Sequence, residues 1–504
     1  MTTNQNLLNA LLRHAVEVPD APFLVVPGGR VWTYGDVVRL SARLADRLAA
    51  SGARQGERVA VQVEKSPEAV ALYLACLRLG AIYLPLNPAY RSAEVGYFLA
   101  DAEPAVMVCD PARRREIGEL ARPGCCILTL DADGGGSLLT NAGEACGELP
   151  IAVCADDDVA AILYTSGTTG RSKGAMLTHG NLRSNAETLV DVWGMRTDDV
   201  LIHALPLYHV HGLFVALHCT MLAGARAIFL SRFDAAEVVR LLPRATILMG
   251  VPTFYSRLLG EPGLDVAACR SMRLFISGSA PLSAEIFHAF HQRTGHAILE
   301  RYGMTEAGMI CSNPLHGERV AGTVGYPLPG VEVRVVGDDG RQLPDGEVGS
   351  LEVRGPNVFA GYWRMPEKTA AEFRPDGFFV TGDLARRFPD GRIELVGRSK
   401  DLIISGGLNV YPKEVELALD RLEGIAESAV VGVPHPDFGE AVVAAVVRAP
   451  GGEGLTEEQV RTRLRSDLAG YKVPKRIAFV DALPRNAMGK VQKNLLRQHL
   501  ARLV

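Results

Sequence analysis

Apolar residues recur at helical spacing over residues 40–51 (LSARLADRLAAS) and gather into short β-branched runs at 58–63 and 105–109, each bounded by turn residues. This alternation is a βαβ rhythm, which favours a mostly parallel sheet covered by helices. It continues through strand-like 160–164, 201–205, 227–230, 246–249 and 274–277. The pattern changes after about Gly325. Strand-like 331–336, 348–354, 377–381 and 392–396 are divided by Gly, Asp and Pro, which predicts a small antiparallel, β-barrel-like subdomain. From Asp401 onward, helical 413–422 and 456–468 alternate with strand-like 428–433, 441–447 and 475–480, a further α+β domain of about 100 residues.

Length and composition narrow the class. The 504 residues exceed one ordinary domain, and 48% hydrophobic with 22% charged residues is a globular balance that excludes a disordered or fibrous chain. Net charge of −4 leaves no basic footprint for nucleic acid, so any phosphate must be met at a local site. Nine scattered cysteines, with no CxxC pair, read as reduced thiols of a cytoplasmic protein. No export signal and no membrane span are expected, since no apolar run approaches 18 residues.

Four segments carry candidate chemistry. Directly after the apolar 159–163 comes YTSGTTGRSKG, residues 164–174, with six hydroxyl side chains, three glycines, an Arg and a Lys. Those groups supply the close backbone approach, donors and positive charge that a polyphosphate needs, although composition alone equally fits a flexible Ser/Gly/Thr loop. It is not a Walker A loop, because Gly174 follows the lysine. The second is ERYGMTE, 300–306, where a hydroxyl beside a carboxylate suits phosphate and Mg²⁺; its alternative is a strand running into a helix capped by Thr305. TGD at 381–383 and GRSKD at 397–401 bracket the strand pair 386–396, placing an Asp and an Arg fit for a sugar, or else making ordinary turns. The fourth, PRNAMGK at 484–490, ends in a lysine that spacing alone would leave as a solvated charge.

Taken in order, YTSGTTGRSKG, YGMTE, TGD, GRSKD and PRNAMGK resemble the adenylate-forming superfamily, over essentially the whole chain. The resemblance implies a large N-terminal domain at 1–397 that binds ATP and a carboxylic acid, a hinge at 398–400 centred on Lys400, and a mobile C-terminal lid at 401–504. It further implies that Thr165, Ser166, Gly167, Thr168, Thr169 and Lys173 grip the phosphates of ATP, and that Tyr302 neighbours the adenine. Thr305 then meets the α-phosphate, Glu306 holds Mg²⁺, and Asp383 with Arg398 binds the ribose. Lys490 would bridge the substrate carboxylate and the α-phosphate, while Ser405, Gly406 and Gly407 admit the pantetheine arm of CoA.

For the acid, His209 in PLYHVHG matches the position that lines the carboxylate pocket. The HxH spacing also suggests a metal pair, but no neighbouring Cys or carboxylate completes it. Arg301 stands where most relatives place an uncharged residue. A guanidinium in an acyl pocket is costly unless an anion meets it, which points to a small dicarboxylic acid. With LERYGMTE, HVHGLF and ISGSAPL around it, Arg301 resembles the malonyl-CoA synthetases, which implies malonate, with methylmalonate left open by Ala307–Ile310. The alternatives are an internal Arg301–Glu300 pair, a ligase for a short or medium monocarboxylic acid, an adenylation enzyme loading a separate carrier protein, and a noncatalytic nucleotide-binding protein.

Overall fold

The computed structural model describes residues 4–140, 147, 149–165, 172–405, 408–436, 438–486 and 489–502. The chain divides into two compact units. One comprises Met1–Ala321, Gly325–Glu332 and Val353–Phe379; the other comprises Gly322–Val324, Val333–Glu352 and Val380–Val504.

The first unit contains two sheets. In the nine-stranded sheet six strands run parallel, in the order Leu299–Met304, Leu274–Ser277, Ile247–Gly250, Val200–His203, Arg226–Phe229 and Pro22–Val25, with antiparallel strands at both edges. The inner strands Leu274–Ser277, Ile247–Gly250 and Val200–His203 are buried at every residue, as strands covered on both faces must be. His203 and Ser277 put polar side chains at the carboxyl ends of two of these strands, the end at which open α/β sheets bind ligands.

The seven-stranded sheet has a parallel core of Cys126–Thr129, Val106–Cys109, Arg58–Gln62, Ile82–Pro85 and Val159–Thr165. Lys173–Thr178 and Gly361–Tyr362 then add antiparallel. Local signals set the helices beside it. Thr33 and Asp36 form a capping box at the start of Tyr34–Ala50. Ser66 caps Pro67–Leu79, Pro67 opens it, and Gly80 closes it in the left-handed conformation at φ +67°.

Mostly within the second unit, Glu332–Val336, Val348–Arg354, Phe379–Arg387 and Ile393–Arg398 form a four-stranded sheet in that order. Its five-stranded sheet is built on the long hairpin Ile425–His435 and Gly439–Arg448, flanked by Ile403–Ser405, Leu408–Val410 and Arg476–Phe479. Helix Pro412–Asp420 packs Val415, Ala418 and Leu419 into its core. Among the described residues no helix is long and apolar enough to cross a membrane.

Candidate active site

The Ser/Gly/Thr segment joins two paired strands. Val159–Thr165 and Lys173–Thr178 run antiparallel, with Thr165 opposite Lys173, so both ends of the connection are fixed by sheet hydrogen bonding. Ser166, Gly167, Thr168 and Thr169 lie outside the described residues. Lys173 is buried, its Nζ 3.1 Å from Glu372 Oε1 and 4.2 Å from the centre of the Tyr362 ring. Register explains that neighbour, because Tyr362 sits opposite Ala175, two residues from Lys173 on the same face. The Tyr362 hydroxyl lies 2.7 Å from Glu372 Oε2 and 3.2 Å from Glu306 Oε1; with one proton it donates to one carboxylate at a time. Thr165 Oγ1 approaches Glu306 Oε1 at 3.4 Å. Burial alone would raise the Glu372 pKa, but bonds from Lys368, Tyr362 and Lys173 outweigh it and lower it. Burial and the two carboxylates push the Tyr362 phenol up.

Thr305 corrects one sequence-based alternative. No helix follows it: Leu299–Met304 turns straight into the antiparallel Gly308–Ser312, and Thr305 and Glu306 occupy that hairpin turn. Tyr302 is buried within the first of these strands, opposite Cys311.

Arg301 lies one residue before Tyr302 and is only 3% exposed. Among the described residues its Nε and Nη2 have no hydrogen-bond partner. The internal pairing with Glu300 does not form, because successive strand residues face opposite sides and Glu300 Oε1 instead accepts from the Leu282 N–H at 3.0 Å. The guanidinium packs on Gly278, where a Cβ would come within 2.3 Å of Arg301 Cζ, so only glycine leaves it room. Ser277 Oγ and His211 Nε2 are also buried without partners among the described residues. Burial pushes the Arg301 pKa down to about 9, which still leaves it charged at neutral pH. Burial first, then the charge of Arg301, holds His211 well below the ordinary histidine value, so it is neutral. Half-buried His209 accepts from the His211 N–H through Nδ1 at 3.3 Å, which in the neutral ring leaves Nε2 as the N–H donor.

In the second unit, Asp383 and Arg398 are cross-strand partners with Arg398 Nε 2.6 Å from Asp383 Oδ1, so both lie within a strand pair and the ordinary-turn alternative fails. The Lys490 N–H donates to Asn486 Oδ1 at 2.9 Å. Loss of surrounding water, then the like charges of Arg398 and Lys400, lower its ammonium pKa, with Asp383 and Asp401 opposing. Ser405 is buried and pairs with Leu408; Gly406 and Gly407 between them lie outside the described residues. Lys400 is exposed in the short turn Ser399–Asp401.

The family model described as AMP-binding enzyme matches residues 11–363, and that described as AMP-binding enzyme C-terminal domain matches residues 414–490. The chain belongs to the AMP-binding enzyme family. Among solved structures it is similar to ATP-bound MatB from Rhodopseudomonas palustris, at 52% identity and a TM-score of 0.97, covering 99% of this chain and 100% of that one. Among named proteins it is 38% identical to a feruloyl-CoA synthase of Amycolatopsis sp., over 98% of this chain and 99% of the relative. It is 37% identical to the mitochondrial malonate–CoA ligase ACSF3 of Mus musculus, over 89% of this chain and 82% of the relative.

Glu306, a single buried carboxylate with the Thr165 and Tyr362 hydroxyls beside it, fits Mg²⁺ that arrives on phosphate oxygens and takes few ligands from protein. Among the described residues no group of three or more His, Cys, Asp or Glu could hold a metal on its own. Sequence reasoning missed Tyr362 and Glu372, which complete the surroundings of Lys173.

Proposed function

We propose that this AMP-binding enzyme is an ATP-dependent malonate–CoA ligase acting in the cytoplasm, with methylmalonate the second acid to test. Malonate attacks the α-phosphate of ATP to give malonyl-adenylate and pyrophosphate, and the thiol of CoA then displaces AMP to give malonyl-CoA. The observation that carries this reading is the buried Arg301, whose Nε and Nη2 lack partners among the described residues. Only a substrate with a second carboxylate supplies an anion for that cation, through charge-assisted bonds. Ferulate, the acid in one relative's name, brings no second carboxylate.

The residues take the following roles. Thr165, Ser166, Gly167, Thr168, Thr169 and Lys173 hold the phosphates, Tyr302 neighbours the adenine, and Thr305 donates to the α-phosphate. Glu306 holds Mg²⁺, which when bound neutralises charge on the phosphates. Asp383 and Arg398 take the ribose. His209 orients the reacting carboxylate, Arg301 the distal one, and Lys490 stabilises the charge that develops between the carboxylate and the α-phosphate. The second step needs the lid of residues 401–504 to turn about 398–400 at Lys400, withdrawing Lys490 and bringing Ser405, Gly406 and Gly407 to the pantetheine arm.

A panel of malonate, methylmalonate, succinate, acetate, octanoate and ferulate, with CoA present, tests the reading through pyrophosphate release and thioester formation. Malonate is expected to give the highest kcat/KM. Better turnover of a monocarboxylic acid overturns the assignment, and adenylate formation without transfer to free CoA favours a carrier-loading enzyme instead.

A further inference from the structure

At the carboxyl end of Val200–His203 lies a polar chain that the roles above leave unused. Lys65 Nζ is 2.8 Å from His203 Nδ1 and 2.8 Å from the His203 carbonyl oxygen, and it stands 4.3 Å from the centre of the Phe229 ring. His203 Nε2 is 2.9 Å from the carbonyl oxygen of Gly212. The proton positions follow from chemistry. A carbonyl only accepts, so Nε2 carries the hydrogen; burial disfavours a second proton on the ring, so Nδ1 is bare and accepts an N–H from Lys65, whose own pKa burial pushes well down without removing its hydrogens as donors. Burial and the Lys65 charge hold the His203 pKa well below the ordinary value, in agreement with a neutral ring.

The far end of the chain is Gly212, second residue of the buried π-helix His211–Leu217, a helix form frequent at functional sites. A Cβ on Gly212 would lie 2.0 Å from the Pro206 carbonyl oxygen, so the backbone from 206 to 212 doubles back tightly on itself. Within that bend the Leu213 N–H donates to the His209 carbonyl at 3.0 Å and the His211 N–H donates to His209 Nδ1. Whatever fixes the Gly212 carbonyl therefore fixes the segment that carries both His209 and His211.

We propose that Lys65 and His203 are positioning residues of the acyl pocket: Lys65 holds His203 in its Nε2–H tautomer, and His203 anchors the bend that presents His209 and His211 to the substrate. Neither touches the substrate. The inference rests on the ligase reading for its kinetic consequence, but not for the tautomer.

Three variants test it: His203→Leu, His203→Gln, which keeps a side-chain amide donor for Gly212, and Lys65→Met. Misplacing a substrate-orienting group by about 1 Å costs up to roughly 100-fold. His203→Leu and Lys65→Met are thus expected to raise the KM for malonate about 10- to 100-fold and leave the KM for ATP within about twofold, whereas His203→Gln largely keeps the malonate KM of the wild type. Parallel loss for both substrates together with a fallen melting temperature, or unchanged malonate KM in folded variants, overturns the proposal. A second arm needs no turnover. Nitrogen-15 spectra of the histidine rings in the full-length enzyme at neutral pH are expected to show His203 protonated on Nε2 alone, and an Nδ1–H ring or an imidazolium overturns it even if His203→Leu does not fold. If malonate is not the acid, the kinetic arm is run with the best acid of the panel, so failure of the ligase assignment and of the positioning role are separable.

Discussion

In the proposed function, Arg301 sets the specificity through a single side chain. Its burial is a standing cost to the free enzyme, lowered only when a carboxylate arrives, so neutralising it has two opposite consequences. Arg301→Met is expected to reduce kcat/KM for malonate by about 10²–10³, the usual loss when one partner of a buried charge pair is removed, while nucleotide binding persists. The same variant should melt higher than the wild type without ligand, and malonate should raise the melting temperature of the wild type only. A malonate-dependent shift surviving in the variant would refute the pairing. Arg301 was legible through the family resemblance, because most relatives place an uncharged residue directly before the Tyr-Gly pair. Glu372 and Lys65 were not, since an acid in a polar helix and a lysine after a strand look like solvated surface; only the fold sets them at 3.1 Å from Lys173 and 2.8 Å from His203.

At the scale of elements, periodicity located strands well where both faces are buried. The expectation for 274–277 coincides with Leu274–Ser277, and that for 58–63 with Arg58–Gln62 to within a residue. It misled where turn chemistry sits inside regular structure: Thr381, Gly382 and Asp383 belong to the strand Phe379–Arg387, since pairing with Ile393–Arg398 overrides the local preference for a turn. One helix end carries a measurable strain in charge. Asp420 closes Pro412–Asp420, beside the negative end of the helix dipole, and burial pushes its pKa up to about 6 although Ser428 Oγ donates to it at 2.7 Å. A carboxyl whose folded pKa lies above its unfolded value holds its proton more tightly when folded, so it destabilises above pH 6 and ceases to do so below about pH 4. Asp420→Asn should therefore stabilise by roughly 2–3 kcal/mol at pH 7.5 in urea unfolding, and by much less at pH 4. An equal gain at both pH values would mean that charge is not the cause.

For the molecule as a whole, the class of fold could be read from the sequence, but the order of strands could not. Pro22–Val25 pairs with Arg226–Phe229, and Gly361–Tyr362 with Lys173–Thr178, across roughly 200 residues that no local pattern links. The two-step scheme makes a prediction at this scale. Lys490→Ala should slow adenylate formation by about 10²–10³ yet leave transfer of malonyl from synthetic malonyl-adenylate to CoA nearly intact, measured as thioester formed. Equal loss in both half-reactions would place Lys490 outside the first step alone. The Lys173–Glu372 ion pair bears on a different matter, the traffic of anions in a cell. A lysine already neutralised by a carboxylate is no trap for stray inorganic phosphate or sulfate. In the proposed role, only a ligand that engages base, sugar and phosphates together brings enough simultaneous contacts to displace Glu372, so the loop ignores the abundant small anions and responds to the nucleotide.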